Sequence, residues 1–237
     1  MQQTQNGICF VCNAQFPIAE CKKHMNECVN NMIAETDNSN QSLTILHLVA
    51  EVDPKYWLYV IVRSDATLKD LNKFLREYWM EDDHLSCFEY ISAITTIPTM
   101  TLKEIPMKST IKTVFCDTSV NVQYIFDYGA WTYVYIKLVG IAVSKKEISH
   151  PMVIAKNVPL YHECTECKKA PGVALCSCDK CMCEGCSVNG CAECQLEQDE
   201  LSPVFDSPRM GRGGFDGSDC NQEIYNYNYV PPKKKSK

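Results

Sequence analysis

The chain has 237 residues, a mass of 26.9 kDa and a net charge of -6, with 22 % charged and 46 % hydrophobic residues, which excludes collagen, long coiled coils and wholesale disorder. No run reaches the roughly 18 apolar residues of a membrane span, and the first residues lack the basic start and apolar stretch of a signal peptide. We therefore expect an intracellular protein, cytoplasmic or nuclear in a eukaryotic host, with no membrane partner.

Sixteen cysteines are the outlying feature: four lie within residues 9–28, nine within 164–194, and only Cys87, Cys116 and Cys220 elsewhere. In a reducing compartment, thiols in CxxC pairs read as metal ligands rather than disulfides. Cys9 and Cys12 form such a pair, and after eleven residues His24 and Cys28 follow as HxxxC. A knuckle turn and one helical turn each present two donors on one side, so the four close a tetrahedron around Zn²⁺. With four protein donors and no open position, the site is structural. Phe10 and Phe16 are expected to pack its small core, since about thirty residues bury too little apolar surface alone. Cys21 is surplus. The segment CFVCNAQFPIAECKKHMNECV resembles the ubiquitin-binding zinc fingers and related C2HC fingers of DNA-repair proteins, although Asn26 and Val29 stand where the ubiquitin-binding subset usually has Asp and Leu. The resemblance implies a recognition helix whose exposed face, Lys22, Lys23, Asn26 and Glu27, meets a partner.

Residues 31–41 are polar and read as a linker between the finger (1–30) and a central domain (42–156). LTILHLVAEV and KYWLYVIVR, separated by Asp53-Pro54, predict a β-hairpin. Residues 64–79 carry Leu68, Leu71, Phe74, Leu75 and Tyr78 three and four apart, an amphipathic helix behind a Ser/Asp/Thr cap. LSCFEYISA follows as a strand, 94–107 as an irregular connection or edge, and 121–143 as a second hairpin turning at Tyr128-Gly129-Ala130. The expected fold class is α+β: a small mixed sheet with a packing helix, flanked by the finger and a Cys-rich module. Trp57, Trp79 and Trp131 are expected in the core, with His84 and Asp127 fixing turns. Asp82 and Asp83, beside His84, are a further metal candidate.

The module at 157–200 supplies CxxC pairs at 164/167, 178/181, 183/186 and 191/194, plus Cys176. Two zinc ions need eight ligands, which suggests an interleaved pair of Cys₄ sites. Cys164, Cys167, Cys183 and Cys186 make the first; Cys176, Cys191 and Cys194 join either Cys178 or Cys181 in the second. His162 is a further possible ligand. Iron–sulfur, metallothionein-like and disulfide readings fit this spacing less well. Residues 201–237 are Gly/Pro-rich and end in a basic tail expected to be disordered.

Three ordered segments, LHLVAEVDPKYWLYVIVRSDATLKDLNKFLREYW, EDDHLSCFEY and YIFDYGAWTYVYIKLVGI, resemble the plasmid pRiA-type Orf-three-like family, and the likeness extends to LSPVFDSPRMGRGGFDG. It implies a β-grasp-like domain with a β-β-α-β beginning and a link to mobile elements. Here Ser86, Tyr128 and Ala130 replace the residues usual in that family, while His84, Asp127, Gly129 and Trp131 match it. P-loop, GxGxxG, GxSxG and HExxH signatures are absent. The expectation is a non-enzymatic protein holding about three zinc ions, one Cys₃His and two Cys₄, and acting as an interaction or adaptor protein for a protein partner, ubiquitin among the candidates. A nucleic-acid-binding protein of mobile elements or DNA repair is the alternative, drawing on Lys22, Lys23 and PPKKKSK.

Overall fold

The computed structural model describes residues 6–34, 41–51, 53–91, 103–144 and 147–227, with backbone only at 30–34 and 144. Eight strands form one sheet: β1 (Asn6–Cys9), β2 (Gln15–Pro17), β3 (Gln41–Ala50), β4 (Trp57–Arg63), β5 (Ser86–Tyr90), β6 (Asn121–Phe126), β7 (Thr132–Ser144) and β8 (Met152–Asn157), in the order β2-β1-β8-β4-β3-β7-β6-β5. Every pairing between these strands is antiparallel. The protein is thus mixed helix and sheet, as expected, but its sheet is large and antiparallel where a small mixed one was expected. The difference arises at β8, which pairs with β4 on one side and with β1 of the finger on the other. The finger continues the central sheet.

β4 explains why KYWLYVIVR has no polar alternation. Leu58, Val60 and Val62 face helix α2 (Leu68–Trp79), while Trp57, Tyr59 and Ile61 face helix α1 (Cys21–Ala34) of the finger, and all six are buried. A strand covered on both faces must be apolar throughout, and each large side chain so buried contributes about 1.5–3 kcal/mol. Helix α2 begins at a capping box in which the Thr67 amide and hydroxyl both donate to Asp70 Oδ2 at 2.8 Å. Its apolar stripe of Leu68, Leu71, Phe74, Leu75 and Tyr78 is buried against the sheet.

The expected linker is partly helical, because α1 runs to Ala34; residues 35–40 lie outside the described residues. The irregular stretch expected at 94–107 also falls largely outside them, although Glu104 bridges Glu89 and the Ile105 amide donates to the Phe88 carbonyl at the β5 edge. The short helix α3 (Ile111–Val114) closes over the N-terminus of α2. Among the described residues no helix is long and apolar enough to cross a membrane.

The Gly/Pro-rich segment departs most from expectation. Up to Tyr227 it is ordered, forming a strap across α2 and the sheet. Ser207 Oγ donates to the Trp79 carbonyl at 2.5 Å, the Asn221 amide to the Glu77 carbonyl at 2.7 Å, and Gln222 Nε2 to the Tyr78 carbonyl at 2.9 Å. Tyr225 packs edge-on against Phe74. The tail expected to be disordered begins at Asn226, but Asn226 bridges Val153 and the Tyr227 amide donates to the Val153 carbonyl at 3.0 Å; its remaining residues, 228–237, lie outside the described residues.

Candidate metal centres

In the finger, β1 ends at Cys9, and a turn through Asn13, whose φ is +59°, returns the chain so that the Cys9 amide donates to the Ala14 carbonyl at 2.9 Å. His24 and Cys28 are one turn apart on α1, which places their donors on one face. Cys9 Sγ lies 3.8 Å from Cys28 Sγ, and His24 Nε2 lies 3.5 Å from Cys12 Sγ and 3.4 Å from Cys28 Sγ. Zn–S bonds of about 2.3 Å and Zn–N bonds of about 2.0–2.1 Å give tetrahedral edges of about 3.8 Å (S to S) and about 3.5 Å (S to N). The donor set is therefore compatible with zinc. Phe16 stacks on the His24 ring at 4.3 Å, fixing its orientation. Phe10 instead packs toward the α2 side of the core, so only Phe16 plays the part expected of both. Gly7 is required here: a Cβ would meet the Phe16 and Trp57 rings at 2.6–2.7 Å. Cys21 is buried outside the donor set, and burial pushes its thiol up to about 11. Lys22, Lys23, Asn26 and Glu27 are all exposed, as expected.

The Cys-rich module is built on a small sheet of β9 (Ala174–Leu175), β10 (Cys181–Met182) and β11 (Ser202–Pro203), ordered β10-β9-β11, with helix α4 (Glu184–Ser187) carrying Cys186. Cys164, Cys167, Cys183 and Cys186 converge as one group, and Cys176, Cys178, Cys191 and Cys194 as another. Ligand pairs alternate between the two sites along the chain, which is the interleaved arrangement. Cys167 to Cys183 is 3.8 Å and Cys178 to Cys191 is 3.7 Å between sulfurs, again the edges of a zinc tetrahedron and far from the roughly 2.05 Å of a disulfide. Amide groups of Cys167 and Cys183 aimed at Cys164 hold its thiol down to about 6, while burial pushes Cys28 in the finger far up. Four thiols in one site resist ionising together unless a cation sits among them. Lys180 bridges the two loops through Glu166 at 3.1 Å and Glu193 at 2.9 Å.

Two candidates fall outside these sets. Cys181 is not a ligand: its side chain is packed against Gly172, where a Cβ would lie 2.0 Å from its sulfur. His162 joins neither four-cysteine group; its backbone carbonyl accepts the Gly172 amide at 2.8 Å.

A fourth cluster joins Glu81, His84 and Asp127, with donors within 4.8 Å of one another. Sequence reasoning singled out His84 and Asp127 as residues fixing turns but missed Arg209, which is fully buried between the acids. Its guanidinium donates to Glu81 Oε1 at 2.7 and 2.9 Å, to Asp127 Oδ2 and to the Ala130 carbonyl. Burial works to raise the Asp127 carboxyl, but Arg209 and the amides of Gly129 and Ala130 outweigh it and hold it at about 2. The cation of this cluster comes from the chain itself. Asp83 is largely exposed but its Oδ1 reaches His84 Nε2 at 3.3 Å, Asp82 is exposed, and Glu81 takes the place beside Arg209. Gly213 makes room for the guanidinium, since a Cβ there would meet Arg209 Nη2 at 2.6 Å.

No family model and no curated protein matches the chain. Among solved structures, it is similar to a protein of unknown function from Methanosarcina mazei Go1, at 21 % identity and a TM-score of 0.41, over 50 % of this chain and 70 % of that one.

Proposed function

We propose that the protein is a zinc-stabilised interaction protein: three structural zinc ions shape a finger and a Cys-rich module around a β-grasp-like domain of the plasmid pRiA-type Orf-three-like family, and the finger helix meets a protein partner. The observation that carries this reading is that each of the three cysteine-containing groups brings four protein donors within 4.8 Å of one another, with sulfur–sulfur edges of 3.7–3.8 Å; four protein ligands are the mark of a structural zinc site. In the Glu81–His84–Asp127 cluster the two carboxylates are paired with the buried Arg209, which gives that cluster a structural role in this reading. Lys22, Lys23, Asn26 and Glu27 stand exposed on α1, opposite the face that the metal and Phe16 hold.

A nucleic-acid partner is the second reading, favoured by the adjacent exposed lysines Lys22 and Lys23. Zinc content by elemental mass spectrometry, on protein purified without added metal, tests the premise; the expected result is three ions per chain. Immobilised ubiquitin and mixed single- and double-stranded oligonucleotides then separate the partners. Retention on oligonucleotide that falls steeply with salt and is lost in Lys22→Glu/Lys23→Glu selects the second reading. Iron with visible absorbance, or no metal and oxidised thiols, overturns the first.

A further inference from the structure

Helix α1 covers only the end of the sheet around β8, β4 and the far half of β7. On the same face nearer β5 lies a strip of aromatic rings. Trp131, at the threshold of β7, and Tyr133 and Tyr135 within it alternate onto this face, and Tyr128 joins them from the preceding turn. Trp131 and Tyr128 are each 47 % exposed, so Trp131 is not the core residue that its sequence context predicts. Tyr128 and Trp131 meet at 6.0 Å and 89°, Trp131 and Tyr133 at 5.5 Å and 63°. Their polar tips are tied down: Trp131 Nε1 donates to the Tyr128 carbonyl, the Tyr128 hydroxyl to Cys87 Sγ at 3.0 Å, and the Tyr135 hydroxyl to Glu51 Oε1 at 2.8 Å. Rings fixed in advance lose little freedom when something lands on them.

The strip is bordered by acid. Glu104 sits opposite Glu89 across the edge bridge, Glu89 opposite Gln123, and Gln123 opposite Tyr135, with Glu51 on the far side. Like charges directly opposed destabilise a sheet, and burial together with Glu104 pushes the Glu89 carboxyl up. Among the described residues, none of Glu51, Glu89 and Glu104 has a lysine or arginine within ion-pair distance. Lys137 farther along β7, and Arg212, which donates to the Trp131 carbonyl at 2.9 Å, mark the two ends of the acidic band. Beside Tyr135 a cavity of about 390 Å³ opens between His47, Val49, Ile91 and Lys137. Burial and Lys137 lower the His47 imidazole to about 4, so it meets this cavity uncharged.

We propose that this face docks an extended peptide segment of a partner protein bearing lysine or arginine, whose cation lies between the Glu89/Glu104 pair and the Tyr133 and Tyr135 rings, with a neighbouring apolar side chain in the cavity beside His47. The charge complementarity is specific to a basic peptide: aromatic faces and carboxylates both attract an ammonium or guanidinium, whereas a nucleic-acid backbone meets three carboxylates and is repelled. The proposal deepens the interaction reading above and is separable from it, because the face contains no zinc ligand.

The tryptophans provide the test. Trp57 and Trp79 are buried, so acrylamide quenching of the zinc-loaded full chain reports chiefly on Trp131. A synthetic peptide alternating lysine and valine is titrated beside its glutamate–valine counterpart and a single-stranded oligonucleotide. The expected result is that the lysine peptide alone shields the tryptophan, that Glu89→Gln/Glu104→Gln weakens it about tenfold, and that Trp131→Phe abolishes the change while zinc content stays at the wild-type value. No shielding, equal binding of the glutamate peptide, indifference to the double substitution, or preferential shielding by the oligonucleotide overturns the proposal. Complete shielding before any peptide is added also overturns it, by placing a second copy or residues 228–237 of the same chain on the face. Any of these with full zinc content removes the docking face alone; absent zinc removes the interaction reading instead.

Discussion

Cys178 and Cys181 are the same residue three positions apart, and backbone direction alone separates their chemistry. Cys178 meets Cys176, Cys191 and Cys194, while Cys181 lies against the bare backbone of Gly172. Cys178→Ser is therefore expected to cost one zinc ion per chain and Cys181→Ser none, as counted by elemental mass spectrometry. Arg209 makes the opposite point about single residues. It holds the carboxylates of Glu81 and Asp127 from a segment whose Gly/Pro composition promised no regular structure. Removing one partner of a buried ionic cluster leaves the others uncompensated, so Arg209→Met should destabilise the fold by about 3–5 kcal/mol in urea unfolding. The pH dependence follows from Asp127, whose carboxyl is held at about 2 in the folded chain, below an ordinary value of about 3.9. A depressed carboxyl contributes its full stability above about pH 4 and loses it as pH falls through about 2. The stability gap between wild type and Arg209→Met should accordingly be flat above pH ~4 and shrink below it. The metal sites, common to both proteins, cancel in that comparison.

At the level of elements, the finger and the sheet are one construction. β1 pairs with β8 on one side and β2 on the other, and α1 buries Met25 and Cys28 against Trp57, Tyr59 and Ile61. Stripping the metal should release α1 and wet the Trp57 ring, so a strong chelator is expected to shift tryptophan emission to the red and His24→Ala to reproduce the shift. Gly7→Ala tests the same junction without touching a ligand: the added methyl collides with Phe16 and Trp57, and a cost of about 1–3 kcal/mol in chemical denaturation is expected. Local pattern made much of this legible. The α2 stripe, the apolar run of β4 and the spacing of Cys9, Cys12, His24 and Cys28 are short-range signals, and each led to the right element or donor group. The joining of finger to sheet was not legible, because pairing of β1 with β8 links residues about 150 positions apart and leaves no periodic trace in either segment.

Across the whole molecule, the same rule separates what the sequence carried from what it hid. Tryptophan is a core residue by habit, and Trp57 and Trp79 obey; Trp131 does not, because β7 runs past the edge of α1 and, among the described residues, no helix covers that part of the sheet face. Choosing Cys178 over Cys181 needed the path of a hairpin, which spacing alone does not supply. The strap from Ser202 to Tyr227 was hidden most completely, since it has almost no regular structure of its own and is ordered by contacts to α2, to the β6–β7 turn and to β8. Glu81, Asp127 and Arg209 are drawn from three distant stretches of chain, and only the closed fold puts them together.

That long return has a consequence for synthesis. A ribosome releases the chain from its N-terminus at about 5–20 residues per second, so Glu81 and Asp127 emerge well before Arg209. Until the strap arrives, the nascent domain has its sheet and helix but two acids facing inward without a counter-charge, and the Trp79, Tyr78 and Glu77 carbonyls still lack the donors that cap them. The strap from Ser202 to Tyr227 thus acts as a latch set after the sheet and α2 have emerged, and a product truncated before residue 209 would be released with that latch undone.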